Sequence, residues 1–313
     1  MRVLQIAPFP GPPTYVPPKF LALEFHFDPA DLNEWIMEHG REVRILITNS
    51  LRGLPDDLWA KLPSLELVAN FGTGLDRIDL REAARRGVKV THTPDAVTHD
   101  AADLAIALLL TLLRRLVAAD GFVRQGSWGK QPFGLGHSTK GRRLGILGLG
   151  RIGTAIARRA SAFDMQVGYY DPYPKDAPYS SFPTAVDLAR WADVLIPAMP
   201  GGTDTRAIVD ATVLDALGPG GIFINVSRGS VVDDAALLAA LRTGVIAGAG
   251  LDVFNDEPID GSRFKGLTNV VLTPHIGTAT SETCIAMAKA VYGNVEALLQ
   301  GRDLTNVAVD FAR

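Results

Sequence analysis

The sequence predicts an α/β protein of two parallel-sheet domains, and three observations carry that prediction. Short apolar, β-branched runs alternate with helical segments, the order that sets strands in parallel with helices on both faces. A run such as "VRILIT" (43–48) lacks polar alternation, as expected of a strand covered on both sides. A second strand–helix–strand series opens at "RLGILGLGRIG" after a whole domain's length has passed, and 313 residues suit two domains better than one.

Taken in order, "RVLQI" (2–6) is a strand and the proline-rich "APFPGPPTYVPP" (7–18) after it a loop. "DPADLNEWIMEHG" is a helix: Asp28 caps it, Pro29 suits the first helical position and Gly40 stops it. Strands follow at 43–48 and in "LELVANF" (65–71), then a helix in "DLREAARRG" and a strand in "VKVTHT". One long helix is expected from Asp100 to about Arg124, with "QGSWGKQPFGLGHSTKG" behind it as an extended arm. The second series has strands at 193–198, 221–227, 245–253 and 269–274, and the helix "SETCIAMAKAVYGNVEALL" follows them. The expected domains are 1–98 completed by 282–313, and 99–281 between.

Composition excludes several classes. With 47% apolar and 21% charged residues and a net charge of −3, there is no electrostatic reason to expect nucleic acid or an anionic membrane. The longest apolar stretch, "LAIALLLTLL" (104–113), is about half the length of a membrane helix. The N-terminus lacks the basic start and apolar core of a secretion signal. One cysteine, Cys284, rules out an internal disulfide and suits a reducing cytoplasm. No His/Cys/Asp/Glu cluster has metal-ligand spacing, so no metal is expected.

"GLGRIG" (148–153) matches G-x-G-x-x-G directly after an apolar strand and opens a helix. Gly148, Gly150 and Gly153 permit the tight turn, backbone approach to a pyrophosphate and close packing of helix on strand. The helix N-terminus at Arg151, Ile152 and Gly153 would offer its N–H groups to the phosphates. Asp171, which ends "MQVGYYD" about twenty positions on, supplies the acidic partner of a dinucleotide fingerprint. A purely structural glycine turn is the plainer alternative. The mid-chain position implies a preceding domain that faces the cofactor domain across a cleft.

With "NVSRGSVVDDAALLAAL" (225–241), "GAGLDVFNDEP" (248–258) and "LTPHIGTAT" (272–280), the chain resembles the D-isomer-specific 2-hydroxyacid dehydrogenases. "NFGTGLDRIDL" (70–80) and "HTPDAVTHDAADLAIALLL" (92–110) are similar to that family's substrate loop and hinge helix, and "MPGGTDTRAIVDATVLDALGPGGIFINVSRG" looks most like its glyoxylate/hydroxypyruvate reductases. The resemblance implies two Rossmann-like or flavodoxin-like domains with the active site in the cleft between them. Alone, Arg228 would be a surface arginine, Glu257 a solvated carboxylate and His275 a loop residue. The resemblance makes them the catalytic set. Arg228 would clamp the 2-oxo carboxylate with its two parallel donors and polarise the carbonyl. His275 would give the proton in reduction and take it in oxidation. Glu257 would orient the imidazole and favour its protonated form. Gly72, Thr73 and Gly74 would present backbone N–H groups to the substrate's carboxylate as an anion nest.

Further expectations rest on the same likeness. Asp252 would lie near the nicotinamide carboxamide, a structural cap being the alternative. Trp128 would reach a substrate pocket or remain a packed surface residue. His26, His39, His92, His99 and His137 fall outside the motifs and are read as structural. The helix and arm around 100–140 resemble dimerisation elements, so a homodimer is expected. Asp171 can accept hydrogen bonds from the adenosine ribose and would repel a 2′-phosphate, which favours NAD over NADP. Lys175 could swing in to offset that repulsion, and Asp176 beside it works against this. Two other functions fit the chain: an aromatic or branched 2-oxo acid reductase, and a dinucleotide-sensing corepressor.

Overall fold

The computed structural model describes residues 2–10, 23–173 and 175–308; most of the proline-rich loop expected at 7–18 lies outside them. The chain forms two compact units, Met1–Val97 with Thr278–Arg313, and Thr98–Gly277.

The first unit holds β1 (Arg2–Gln5), β2 (Leu23–Phe25), α1 (Pro29–His39), β3 (Val43–Asn49), α2 (Asp56–Lys61), β4 (Leu67–Phe71), α3 (Leu80–Arg86) and β5 (Lys89–Thr91). Its strands form a parallel sheet in the order β2-β1-β3-β4-β5. α1 begins where its cap predicts, with the Asp28 carboxylate accepting the Ala30 and Asp31 N–H groups. β4 is buried along its whole length. Cys284, Met287, Val291 and Val295 of the C-terminal helix pack in one cluster with Ile45, Ile47, Leu67 and Ala69 of this sheet. β2 and α2 went unpredicted, being too short to show a period.

The second unit takes most of α4 (Pro94–Arg114), then α5 (Leu116–Arg124), β6 (Arg143–Leu147), α6 (Arg151–Ala162), β7 (Gln166–Tyr170), β8 (Ser180–Ser181), α7 (Ala185–Trp191), β9 (Val194–Pro197), α8 (Ala211–Leu217), β10 (Ile222–Asn225), α9 (Asp234–Thr243), β11 (Gly248–Leu251) and β12 (Val270–Leu272). α10 (Ser281–Leu299) returns to the first unit. The second sheet is parallel in the order β12-β11-β10-β9-β6-β7-β8. Strand order reverses between β6 and β9, which puts the glycine turn after β6 at the switch point where open α/β sheets bind ligands.

The single helix expected over 100–124 is corrected. Helix begins earlier, at Pro94, and breaks at Arg115, which stands in the left-handed region at φ 54°. The Arg115 guanidinium lies 4.8 Å over the Phe133 ring of the arm, and the apolar spacing that continues through the break gave no stop signal. By length and composition α4 is apolar enough to cross a membrane, a longer segment than the sequence suggested. Its Ala102, Ala105, Ile106, Leu109 and Leu113 are instead buried in the core with Leu144, Ile146 and Ile224 of the sheet.

Candidate active site

The dinucleotide turn is built as the glycines require. Gly148 has φ 94° and donates its N–H to Tyr170 O at 2.7 Å, so the chain reverses directly beneath the end of β7. A Cβ on Gly153 would stand 2.1 Å from Gly148 O, so only glycine lets α6 sit this close to the turn. Gly150 is the N-cap and offers no side chain, and a Cβ there would meet nothing within 4 Å. Open space above uncapped helical N–H groups is what a pyrophosphate needs, and the residues present fit that group. Arg151, Ile152 and Gly153 form the first turn of α6.

Asp171 stands just beyond β7, and its side chain is nearly buried. Its Oδ2 accepts Leu149 N at 2.9 Å and its Oδ1 accepts Tyr173 N at 3.0 Å, so the carboxylate fastens the glycine turn to the end of β7. Lys175 Nζ lies 3.5 Å from Oδ2 despite Asp176 next to it in sequence.

His275, Glu257 and Arg228 all belong to the second unit. His275 Nδ1 meets Glu257 Oε2 at 2.6 Å, and Phe254 N donates to Glu257 Oε1 at 2.8 Å. Burial alone would raise the Glu257 pKa; the bonds from His275 and Phe254 and the positive charges of His275 and Arg228 outweigh it and hold the carboxyl below its ordinary value. An anion beside Nδ1 keeps a proton there and leaves Nε2 as the ring nitrogen that Glu257 does not hold. Arg228 follows β10; its Nη1 donates to Ser227 O at 2.7 Å, and Asn225 Nδ2 donates to Arg228 O at 2.9 Å. A Cβ on Gly229 would fall 2.0 Å from the Phe254 carbonyl carbon, so glycine lets the arginine turn pack against the loop after β11 that carries Glu257.

Asp252 is buried at the end of β11, and its carboxylate serves the histidine loop. It accepts Thr273 Oγ1 at 2.6 Å, Ile276 N at 2.8 Å and Gly277 N at 2.8 Å, while Asp252 O accepts His275 N at 2.9 Å. This cap was the alternative reading of Asp252, and Thr273 was missed altogether.

In the first unit, the loop after β4 carries Gly72, Thr73 and Gly74. Gly72 N donates to Thr93 Oγ1 at 3.0 Å, so its N–H is taken by the protein itself and the nest expected of three donors loses that one. Two residues outside the expected set hold the loop. Asn70 Nδ2 donates to Gly72 O and Gly74 O, and His92 Nδ1 lies 3.1 Å from Thr73 O. The signal for Asn70 was a polar side chain in the apolar run "LVANF". Of the other histidines, His26 pairs with Asp31 at 2.7 Å. Trp128 is exposed rather than packed. Among the described residues no group of three or more His, Cys, Asp or Glu side chains could hold a metal ion.

A dinucleotide turn together with a carboxylate-held imidazole defines a class: an oxidoreductase that interconverts a carbonyl and an alcohol. The family model for D-isomer specific 2-hydroxyacid dehydrogenase, NAD binding domain, matches residues 106–277. Glyoxylate/hydroxypyruvate reductase A of Arabidopsis thaliana is 47% identical over 272 residues, 87% of each chain. Hydroxyphenylpyruvate reductase of Plectranthus scutellarioides is 42% identical over 292 residues, 93% of each chain. The crystal structure of an NADPH-dependent glyoxylate/hydroxypyruvate reductase from Sinorhizobium meliloti, in complex with NADP and malonate, superposes with a TM-score of 0.91 at 39% identity, covering 99% of this chain and 98% of that one. The chain belongs to the D-isomer-specific 2-hydroxyacid dehydrogenases. It is an NAD(P)-dependent oxidoreductase acting on the CH–OH group of 2-hydroxy acids.

Proposed function

We propose that this enzyme reduces a small 2-oxo acid, glyoxylate or hydroxypyruvate, with NADH as the preferred donor. The observation that carries the reading is the 2.6 Å contact of His275 Nδ1 with a carboxylate held in its anionic form. Arg228 clamps the substrate carboxylate with its parallel donors and draws electron density from the neighbouring carbonyl. In the first unit, the Thr73 and Gly74 N–H groups are the donors the loop after β4 offers to a carboxylate. His275 Nε2 delivers a proton to the carbonyl oxygen, and Glu257 stabilises the imidazolium before transfer. The nicotinamide, when bound, supplies the hydride to the carbonyl carbon.

The relatives named for glyoxylate and hydroxypyruvate support the substrate class, and the hydroxyphenylpyruvate reductase at 42% identity supports an aromatic substrate as the second reading. A spectrophotometric scan of glyoxylate, hydroxypyruvate, hydroxyphenylpyruvate and branched 2-oxo acids decides between them. The highest kcat/KM on the first two supports the proposal, and the highest on hydroxyphenylpyruvate replaces it. Cofactor binding with no turnover of any 2-oxo acid would mark a dinucleotide sensor instead. For the cofactor, the Asp171 charge supports NADH, and Lys175 at 3.5 Å narrows the margin. The expected result is a higher kcat/KM with NADH, which Asp171→Ser reduces or reverses. A clear wild-type preference for NADPH would overturn this assignment.

A homodimer in a reducing cytoplasm completes the proposal. Its support is the outer surface of α5, where no residue is buried, and the single buried thiol of Cys284.

A further inference from the structure

We infer that Asn70 and His92 are positioning residues that aim the substrate-binding N–H groups of the loop after β4. The inference rests on the reading of that loop as the carboxylate site.

Asn70 is fully buried in the apolar strand β4. Its Nδ2 donates to Gly72 O at 3.2 Å, Gly74 O at 3.0 Å and Ser50 Oγ at 3.0 Å. Thr73 O, the carbonyl between those two, lies 3.1 Å from His92 Nδ1, just beyond β5. Three successive carbonyls are thus drawn towards two neighbouring side chains. In a trans peptide the C=O and N–H point in opposite directions, and among the described residues the one cis bond is Glu257–Pro258. Fixing the carbonyls of Gly72, Thr73 and Gly74 therefore turns the N–H groups of Thr73, Gly74 and Leu75 away from Asn70 and His92. The Gly72 N–H is held separately by Thr93 Oγ1, and Thr93 N returns a bond to Gly72 O at 3.0 Å.

The arrangement carries a cost that packing alone does not explain. Asn70 Oδ1 is buried without a hydrogen-bond partner. An orphaned buried acceptor is unfavourable, and an apolar side chain would fill a strand interior without it. What Asn70 supplies in return is two N–H donors on one nitrogen, shared among the carbonyls on both sides of Thr73 and Ser50 Oγ. His92 closes the third with Nδ1–H, which fixes its tautomer or charge state as one that donates there.

The test compares glyoxylate with glyoxylamide, which keeps the carbonyl and loses the carboxylate charge. Asn70→Asp removes both donors and sets acceptors against the loop carbonyls. We expect the KM for glyoxylate to rise by about tenfold or more, the scale of one lost hydrogen bond to a charged group, with the KM for NADH near wild type. The preference for acid over amide should fall by a similar factor, which loosened packing alone would not produce. His92→Leu should act in the same direction more weakly, and His92→Asn should rescue it because the amide nitrogen takes the place of Nδ1. Should Asn70→Asp fail to fold, the His92 pair decides the matter alone. Wild-type KM and acid preference in His92→Leu, or in a folded Asn70→Asp, would overturn the inference while leaving the loop as the carboxylate site. A wild-type enzyme that reduces the amide as well as the acid would remove the carboxylate from the loop, and the inference with it.

Discussion

His275 stands at φ 54°, a left-handed conformation that costs a residue with a side chain about 1 kcal/mol. It is held there by its N–H on Asp252 O and by its imidazole on Glu257, so the strain is fixed by two partners. Two predictions belong to this scale. Arg228→Ala should lose most of kcat/KM for every accepted 2-oxo acid while cofactor affinity stays near wild type, and lysine should rescue poorly because it lacks the bidentate fork. Near-normal reduction by the alanine variant would remove Arg228 from the mechanism. The second concerns pH. Glu257 is held below its ordinary carboxylate value by the bonds from His275 and Phe254 and the nearby positive charges, which outweigh its burial. Its contribution to stability is present above that ordinary value and is lost as pH falls through the lower folded value. Reduction consumes the proton on His275, so its rate should fall as pH rises, and oxidation should show the opposite trend. Glu257→Gln keeps the shape and loses the charge beside Nδ1, so kcat for reduction should fall severalfold while the KM for NADH stays near wild type; wild-type turnover would break the coupling. The quoted motifs made these residues legible. Asn70 and His92 were not, because their work is done through the backbone of other residues.

At the scale of elements, the site is a set of strand ends and the loops they launch. Asp252 leaves β11 and pins the loop after β12 by three hydrogen bonds, as Asp171 leaves β7 and pins the turn after β6 by one. Asp252→Ala should therefore leave Ile276 N, Gly277 N and Thr273 Oγ1 unpaired and cost of order 3 kcal/mol of stability. It should lower kcat by releasing His275. A variant with wild-type denaturation midpoint and a raised cofactor KM would return Asp252 to a purely nicotinamide-binding role. Helix ends were readable where chemistry marks them: Asp28 caps α1, and Gly87 closes α3 in the left-handed conformation. The break at Arg115 was not readable, since an arginine replaces the glycine that usually takes such a φ. The partner that accompanies it, Phe133, is remote in sequence.

At the scale of the whole molecule, two parallel sheets followed from the alternation of strands and helices, and α10 returns to the first unit's sheet after the second sheet is complete. Chain order alone does not give strand order, so the switch between β6 and β9 emerges only in the fold. The apolar surface outside α5 is the remaining feature at this scale. Val117 is 66% exposed, Trp128 78% and Leu135 93%, with Leu116 and Val123 about half exposed beside them in sequence. A helix whose apolar residues find no core in its own chain is stabilised when a second copy covers it, and a two-fold pair does so with one self-complementary surface. Light scattering should therefore give a dimeric mass at micromolar concentration. Val117→Asp should lower it to that of a monomer without changing the far-ultraviolet dichroism, because a substitution at an exposed position leaves the fold within about 0.5 kcal/mol. A wild-type monomer, or a Val117→Asp variant that remains a dimer with unchanged dissociation constant, would take this face out of the interface.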